Sequence, residues 1–214
     1  MAGKEIDLNH MRRRSDGSTH YDRADNNGRD GLMRVRLREK YTDVELGQIY
    51  DKKHEHTQWN DHRIRVSSTI ALARWISDEV KSVADLSAGD ASVINALDVE
   101  TKYIGDYVPG YEYTGMLEET LELIPDVDLY ICTETIEHID DPDALLRQIR
   151  RKSKMLILST PIGETGTKNS EHYWGWSDQD IEEMLSDAGW KPRVKQNLYF
   201  QGIYDYDFQT WLCD

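Results

Sequence analysis

The sequence predicts an α/β fold: a mostly parallel, twisted sheet with helices on both faces and an antiparallel hairpin at its C-terminal end. Three observations predict it. Strand-length apolar runs alternate with helical patterns from Val83 to Ala188, which implies parallel strands joined by crossover helices. The stretch Val127–Pro142, VDLYICTETIEHIDDP, runs from an apolar strand into polar residues and then into a helix start. It delivers Thr, Glu and His side chains to the carboxyl edge of the sheet, where open α/β sheets bind ligands. Finally, two strand-like runs, Val194–Phe200 and Asp207–Cys213, are joined by the turn-rich QGIYDY and leave no room for a helix.

The elements follow in order. Residues 1–33 are polar, carry DGS and NNGRDG, and show no apolar period, so they read as a mobile arm. Residues 34–62 form a cap or lid segment, with a short helix over Thr42–Tyr50 capped by Thr42 and a His-rich loop, DKKHEHTQWNDH, over Asp51–His62. The main domain spans 63–214. It opens with an amphipathic helix, Arg63–Ile76, whose apolar positions are Val66, Ile70 and Ala73. Val83–Leu86 is the first strand, Asp90–Leu97 a short helix capped by Asp90, and Lys102–Asp106 the second strand. Only four residues, including Pro109-Gly110, separate Asp106 from the strand-like Tyr111–Gly115. A parallel crossover needs a dozen or more, so a degraded third strand is expected there. Val127–Thr133 is the fourth strand. The helix Pro142–Arg150 has Asp141 as N-cap and Pro142 at its first position. Met155–Ser159 is the fifth strand. The helix Ser177–Ala188 starts on Ser177, with Asp180 three residues on, and stops at Gly189.

Charge bounds the partners. The net charge is −14, and residues 1–40 alone hold ten Lys/Arg against seven Asp/Glu, leaving −17 on the remaining 174 residues. A body so acidic repels polyphosphate, so nucleic acid is disfavoured and Arg12-Arg13-Arg14 reads as a solvated tail. No apolar run approaches 18 residues, which argues against a membrane span. The N-terminus lacks an apolar signal core, and Cys132 and Cys213 fall in strands as small core residues rather than a disulfide framework; both suit the cytoplasm. Oligomeric state leaves no trace in the sequence.

Two segments carry a family resemblance. Val83–Ala91, VADLSAGDA, is a strand breaking into a turn of small residues, with Ser87, Gly89 and Ala91 at the glycine positions of an Asp-x-Gly-x-Gly-x-Gly loop. The second is Glu-x-x-Glu-His after the fourth strand, followed by Leu158-Ser159-Thr160-Pro161 and His172-Tyr-Trp-Gly-Trp176. Together they resemble the Rossmann-like class I S-adenosylmethionine (SAM) dependent methyltransferases over residues 63–214, above all the small-molecule enzymes of the quinone-biosynthesis type.

The resemblance implies S-adenosyl-L-methionine as cofactor and a small-molecule acceptor. It places Asp85, Ser87 and Gly89 around the methionyl portion, where close backbone approach needs small side chains. Asp106, at the end of the second strand, would accept from the ribose hydroxyls. Met116 and Leu117 would flank the adenine, and Thr133 would line the methionyl side. Glu134, His138 and His172 are the catalytic candidates, the histidines because a hydroxyl acceptor benefits from a base near neutral pH. Tyr50 and Trp59 would belong to a lid.

No metal ligands are assigned, although Glu134, Glu137, His138 and His172 are also similar to the metal set of small-RNA 3′-terminal 2′-O-methyltransferases, which makes a metal-assisted RNA ribose methyltransferase an alternative. A catalytically silent SAM-binding module is the other, suggested by the two missing glycines.

Overall fold

The computed structural model describes residues 34–51, 58–166 and 169–214. Seven strands form one sheet in the order β4-β3-β2-β5-β6-β9-β8. They are β2 (Ser82–Asp85), β3 (Thr101–Asp106), β4 (Tyr113–Thr114), β5 (Val127–Thr133), β6 (Ser153–Ile162), β8 (Pro192–Leu198) and β9 (Asp207–Cys213). The first five run parallel, and β9 pairs antiparallel with both β6 and β8. Strand order reverses between β2 and β5, the position where sheets of this kind open a cleft. A separate two-residue ladder joins β1 (Val35–Arg36) to β7 (Trp174–Gly175).

Alternation along β5 explains the layering. Leu129 and Ile131 point into one apolar cluster with Val83, Ala73, Ile94 and Leu212, while Tyr130 and Cys132 point into the other with Leu146, Trp176, Ile181 and Trp211. Both faces are buried, so the strand reads as an apolar run rather than an alternating one. Helices α2 (Asn60–Trp75) and α3 (Ser92–Asn95) cover the first face; α4 (Leu117–Thr120), α5 (Pro142–Lys152) and α6 (Asp178–Asp187) cover the second. Cys132 and Cys213 are free and buried, as expected of core residues.

Local chemistry sets the helix ends. The Thr42 hydroxyl accepts from the Glu45 N–H while Glu45 accepts from the Thr42 N–H, a capping box that starts α1 (Asp43–Ile49). Ser177 and Asp180 do the same for α6, and Asp141 caps α5 through the Ala144 N–H at 2.9 Å. Gly189 ends the α6 region at φ 85, a left-handed value that suits glycine.

Three expectations need correcting. The short helix is Ser92–Asn95, and its cap is Ala91 rather than Asp90. Ala91 takes the left-handed φ of 58, and the Asp90 carboxylate accepts from the Ser92 N–H at 2.9 Å, which tightens the turn before the helix. The third strand is degraded as expected, but it does pair: Gly105 faces Tyr113 and Asp106 faces Thr114 at the end of β3. Because only this tip is paired, the chain never has to travel back along the sheet, and residues 107–112 suffice without a crossover helix. Gly105 permits the approach, since a Cβ there would stand 2.5 Å from the Tyr113 carbonyl oxygen. Third, α2 starts at Asn60, and its buried residues are Arg65, Thr69, Leu72 and Ala73. Of the expected apolar positions, Ala73 is buried, whereas Val66 and Ile70 are only partly so. The inward face is thus turned by one residue and brings an arginine with it.

Candidate active site

The strand ends at the β2/β5 reversal open into one cavity of about 1030 Å³. All ten residues singled out from the sequence line it: Asp85, Ser87, Gly89, Asp106, Met116, Leu117, Thr133, Glu134, His138 and His172. Tyr50 and Trp59 lie at its wall, as a lid would. His54, His56 and Arg12–Arg14 fall outside the described residues.

On the β2–β3 side, the Asp106 carboxylate accepts from the Gly89 N–H at 2.7 Å and the Val108 N–H at 2.9 Å. One side chain therefore fixes the first loop to the second. Gly89 sits at φ 54, and the Tyr111 hydroxyl donates to its carbonyl at 2.9 Å. No side chain intrudes around Gly89, where an added Cβ would meet nothing within 4 Å. Asp85 is buried and, among the described residues, accepts only from the Ser87 N–H, at 3.3 Å. Burial pushes its carboxyl up to about 8, opposed by the Ser87 bond and aided by the charges of Asp106 and Asp90.

On the β5 side, Glu134 takes a left-handed φ of 51. Its N–H donates to the Ser159 carbonyl at 2.8 Å, and the Ser159 hydroxyl returns a bond to its carboxylate at 2.8 Å. Such strain in a non-glycine residue persists only when neighbours hold it, and it is a mark of functional sites. A turn of 3-10 helix, Ile136–His138, then carries Glu137 inward and His138 to the wall. Glu137 is buried, accepts from the Thr160 hydroxyl at 3.0 Å, and among the described residues leaves its second oxygen without a hydrogen bond. Burial and the Glu134 charge raise it well above the usual carboxylate range.

The two histidines meet. Their rings stand edge to face with centroids 4.8 Å apart. His138 Nδ1 lies 3.1 Å from the Glu171 carbonyl oxygen, which can only accept, so Nδ1 carries a proton; the Tyr50 hydroxyl stands 3.4 Å from the same nitrogen. His172 Nδ1 lies 2.5 Å from buried Glu164. Asn169 settles the other nitrogen of His172. Its Oδ1 accepts from the Glu171 N–H at 2.9 Å, so its amide nitrogen is what faces His172 Nε2, at 3.0 Å. In this arrangement the Nδ1 proton of His172 is held toward Glu164. Burial disfavours the charged ring, but Glu164 and Glu137 outweigh it and raise the pKa. A second proton would face the Asn169 amide and make that amide turn away. Glu137, His138 and His172 each offer one ligand atom, and these atoms lie within 4.8 Å of one another.

Three residues of the site escaped the sequence reading. Arg65 is the one Lys or Arg among the described lining residues. Its only sequence signal was its four-residue spacing from Thr69, in line with Ala73 and Ile76. Glu164 and Asn169 sit in an irregular connection after β6, where no periodicity marks them.

No family model matches the sequence, and no curated protein does. Solved structures do match. The Burkholderia thailandensis 1,6-didemethyltoxoflavin-N1-methyltransferase, with 1,6-didemethyltoxoflavin and S-adenosylhomocysteine (SAH) bound, superposes with a TM-score of 0.58 at 11% identity, covering 87% of this chain and 96% of its own. The magnesium protoporphyrin IX methyltransferase of Synechocystis PCC 6803, with SAH bound, gives 0.56 at 16%, covering 79% and 92%. The cyclase SpnF gives 0.57 at 11%, covering 86% and 98%. The fold is that of the class I SAM-dependent methyltransferases. SpnF is described as a cyclase, so this fold does not by itself fix the reaction. No helix among the described residues is long and apolar enough to cross a membrane.

Proposed function

We propose that this chain is a SAM-dependent methyltransferase acting on a small-molecule oxygen, nitrogen or carbon nucleophile in the cytoplasm. The observation that carries the proposal is the convergence of Gly89, Asp106 and Thr133, from three different strand ends, on one cavity. In this reading Asp106 accepts from the ribose hydroxyls while holding the Gly89 and Val108 amides. Met116 and Leu117 flank the adenine, and the turn from Asp85 to Gly89 wraps the methionyl chain. The bound SAH in two structures of the same fold supports the cofactor, since the same strand ends would hold it here.

Methyl transfer from a sulfonium is an in-line displacement at carbon, and the cofactor carries the activation. The chain's own residues orient the acceptor and take its proton. His172 is suited to that task. Glu164 fixes the ring with the proton on Nδ1, which leaves the Nε2 lone pair to accept one once Asn169 yields. His138, whose ring is held by the Glu171 carbonyl, stands beside it as the second candidate. Lid residues Tyr50 and Trp59 exclude water from the transfer.

A second reading is favoured by one observation. Two imidazoles whose Nδ1 atoms face Glu171 and Glu164, with an oxygen of buried Glu137 that has no hydrogen bond among the described residues beside them, form a donor set that fits a divalent transition metal once both rings are neutral. Glu137, His138 and His172 would hold it, and the bound ion would lower the pKa of an acceptor hydroxyl. That is the chemistry of a metal-assisted ribose 2′-O-methyltransferase.

A methylation assay with radiolabelled SAM separates the readings. Phenols, amines and carbon acids are offered without metal, and short RNA with Mg²⁺, Mn²⁺ or Co²⁺. Turnover of a small acceptor in the presence of chelator supports the first reading. Turnover of RNA only with metal, abolished by Glu137→Gln, replaces it with the second. Tight SAH binding without turnover of any acceptor leaves a silent SAM-binding module.

A further inference from the structure

The loop after β2 departs from the glycine-rich pattern that it resembles. Two of the three glycine positions carry Ser87 and Ala91, and Ala91 takes a left-handed φ of 58. That conformation strains any residue with a Cβ, so it persists only where neighbours hold the backbone. We infer that Tyr111 is a positioning residue for the cofactor: its hydroxyl fixes this loop at Gly89, and the loop so held receives the methionyl chain. The assignment rests on the SAM reading above and gives a task to a residue that the reading leaves unused.

Tyr111 is not among the described residues that line the cavity, so it acts on a ligand there only through the loop. Its hydroxyl donates to the Gly89 carbonyl at 2.9 Å, and the Asp106 carboxylate accepts from the Gly89 N–H at 2.7 Å. Both backbone polar groups of Gly89 are thus bound to side chains from the end of β3 and the segment after it. Alongside them the Ala88 N–H donates to the Gly105 carbonyl at 3.0 Å, and the Ala91 N–H closes the turn on the Ala88 carbonyl at 2.6 Å. These three anchors have different duties. Gly105 contributes backbone, and Asp106 is assigned to the ribose as well. Tyr111 holds the loop and stands outside the cavity wall.

The missing crossover helix explains how Tyr111 gets there. A helix between the second and third strands would carry the chain away from the strand ends. Here residues 107–112 stay at the tip of β3, where β4 pairs with Gly105 and Asp106. Val108 is buried, its N–H donates to Asp106 at 2.9 Å, and the Thr114 hydroxyl donates to the Tyr111 carbonyl at 3.0 Å. The Tyr111 ring packs against the apolar cluster that contains Ala91 and Ile94. A hydroxyl carried on a packed ring has little rotamer freedom left to lose. The bond to Gly89 therefore sets the loop before a ligand arrives, which lowers the ordering cost of binding.

The test is calorimetry on the full chain with SAH and with 5′-methylthioadenosine, in which a methyl group replaces the amino-acid chain beyond the sulfur. Tyr111→Phe removes one hydroxyl and keeps the ring. It is expected to weaken SAH binding about three- to tenfold, the range for one neutral hydrogen bond, and to change binding of the shorter ligand less than about twofold. Amide hydrogen exchange of the ligand-free protein gives a second readout. Gly89 and Ala91 should exchange faster in the variant, while β5 keeps the rates of the parent. Should the Phe variant fail to fold, Tyr111→Leu is read the same way. Unchanged SAH affinity, equal losses for the two ligands, or faster exchange throughout the sheet would each overturn the inference. If the unmodified protein binds neither ligand, the SAM reading itself has failed.

Discussion

Asp85→Asn should make the ligand-free protein more stable and a poorer binder. Asp85 is 2% exposed, and its carboxyl is held at about 8 against an ordinary value of 3.8. At 1.36 kcal/mol per pH unit, the charged form costs about 5 kcal/mol in the folded state. The sign follows from proton binding. Between pH 3.8 and 8 the folded chain holds a proton that the unfolded chain has released, so stability falls as pH rises. The advantage of the neutral carboxyl is whole below 3.8 and gone above 8. Asparagine stays neutral throughout, keeps an oxygen for the Ser87 N–H, and borders the cavity, where water can satisfy its amide. At pH 4 the two proteins should melt together. At pH 8 the variant should gain up to about 5 kcal/mol, or roughly 10–20 °C for a chain of this size. The same change should weaken SAH binding, because a cationic ligand end beside Asp85 would draw it into its charged form and asparagine has no charge to offer. Thermal melts from pH 4 to pH 9, each with and without SAH, read both effects. A variant no more stable than the parent at pH 8 would refute the buried, unfavourable carboxylate.

Other perturbations test neighbouring links. Asp106→Ala should lower SAH affinity by roughly 1.5–3 kcal/mol, as expected for charge-assisted hydrogen bonds, and unchanged affinity would remove Asp106 from the ribose site. Gly89→Val forces a β-branched residue to φ 54, so the first loop must rearrange; full SAH binding would mean that the ligand does not use this turn. Gly175→Ala places a Cβ 1.9 Å from the Glu164 carbonyl oxygen, a backbone atom that cannot swing aside. It should cost about 1–3 kcal/mol in thermal stability and lower turnover through the displaced Glu164–His172 pair, with SAH affinity kept. An unchanged melt and unchanged turnover would mean that this contact relaxes without effect.

Much of this arrangement could be read in the chain, and the gaps have physical causes. The boundaries of α5 and α6 were readable because Asp141, Ser177 and Asp180 cap through their own side chains. β5 was readable because both its faces are buried, and the run simply has no polar interruption until Thr133. β1 and β7 were not, since two-residue strands have no period to detect. Asp90 reads as a cap in the sequence because aspartate caps commonly; the left-handed Ala91 that holds the position carries no local signal. The cavity-lining residues on strand ends were accessible through the resemblance of their segments to a known family. Glu164 and Asn169 were not, because a loop brings them to His172 through tertiary packing alone. Arg65 was hidden by its helix, whose inward face is one residue away from the most apolar one.

The central claim is that the ends of β2, β3 and β5 form one adenosyl-binding pocket. Calorimetric titration of the full chain with SAH tests it most directly. The account predicts one saturable site per chain, weakened by Asp106→Ala and lost in Gly89→Val. No binding at millimolar SAH, or binding indifferent to both substitutions, would contradict it.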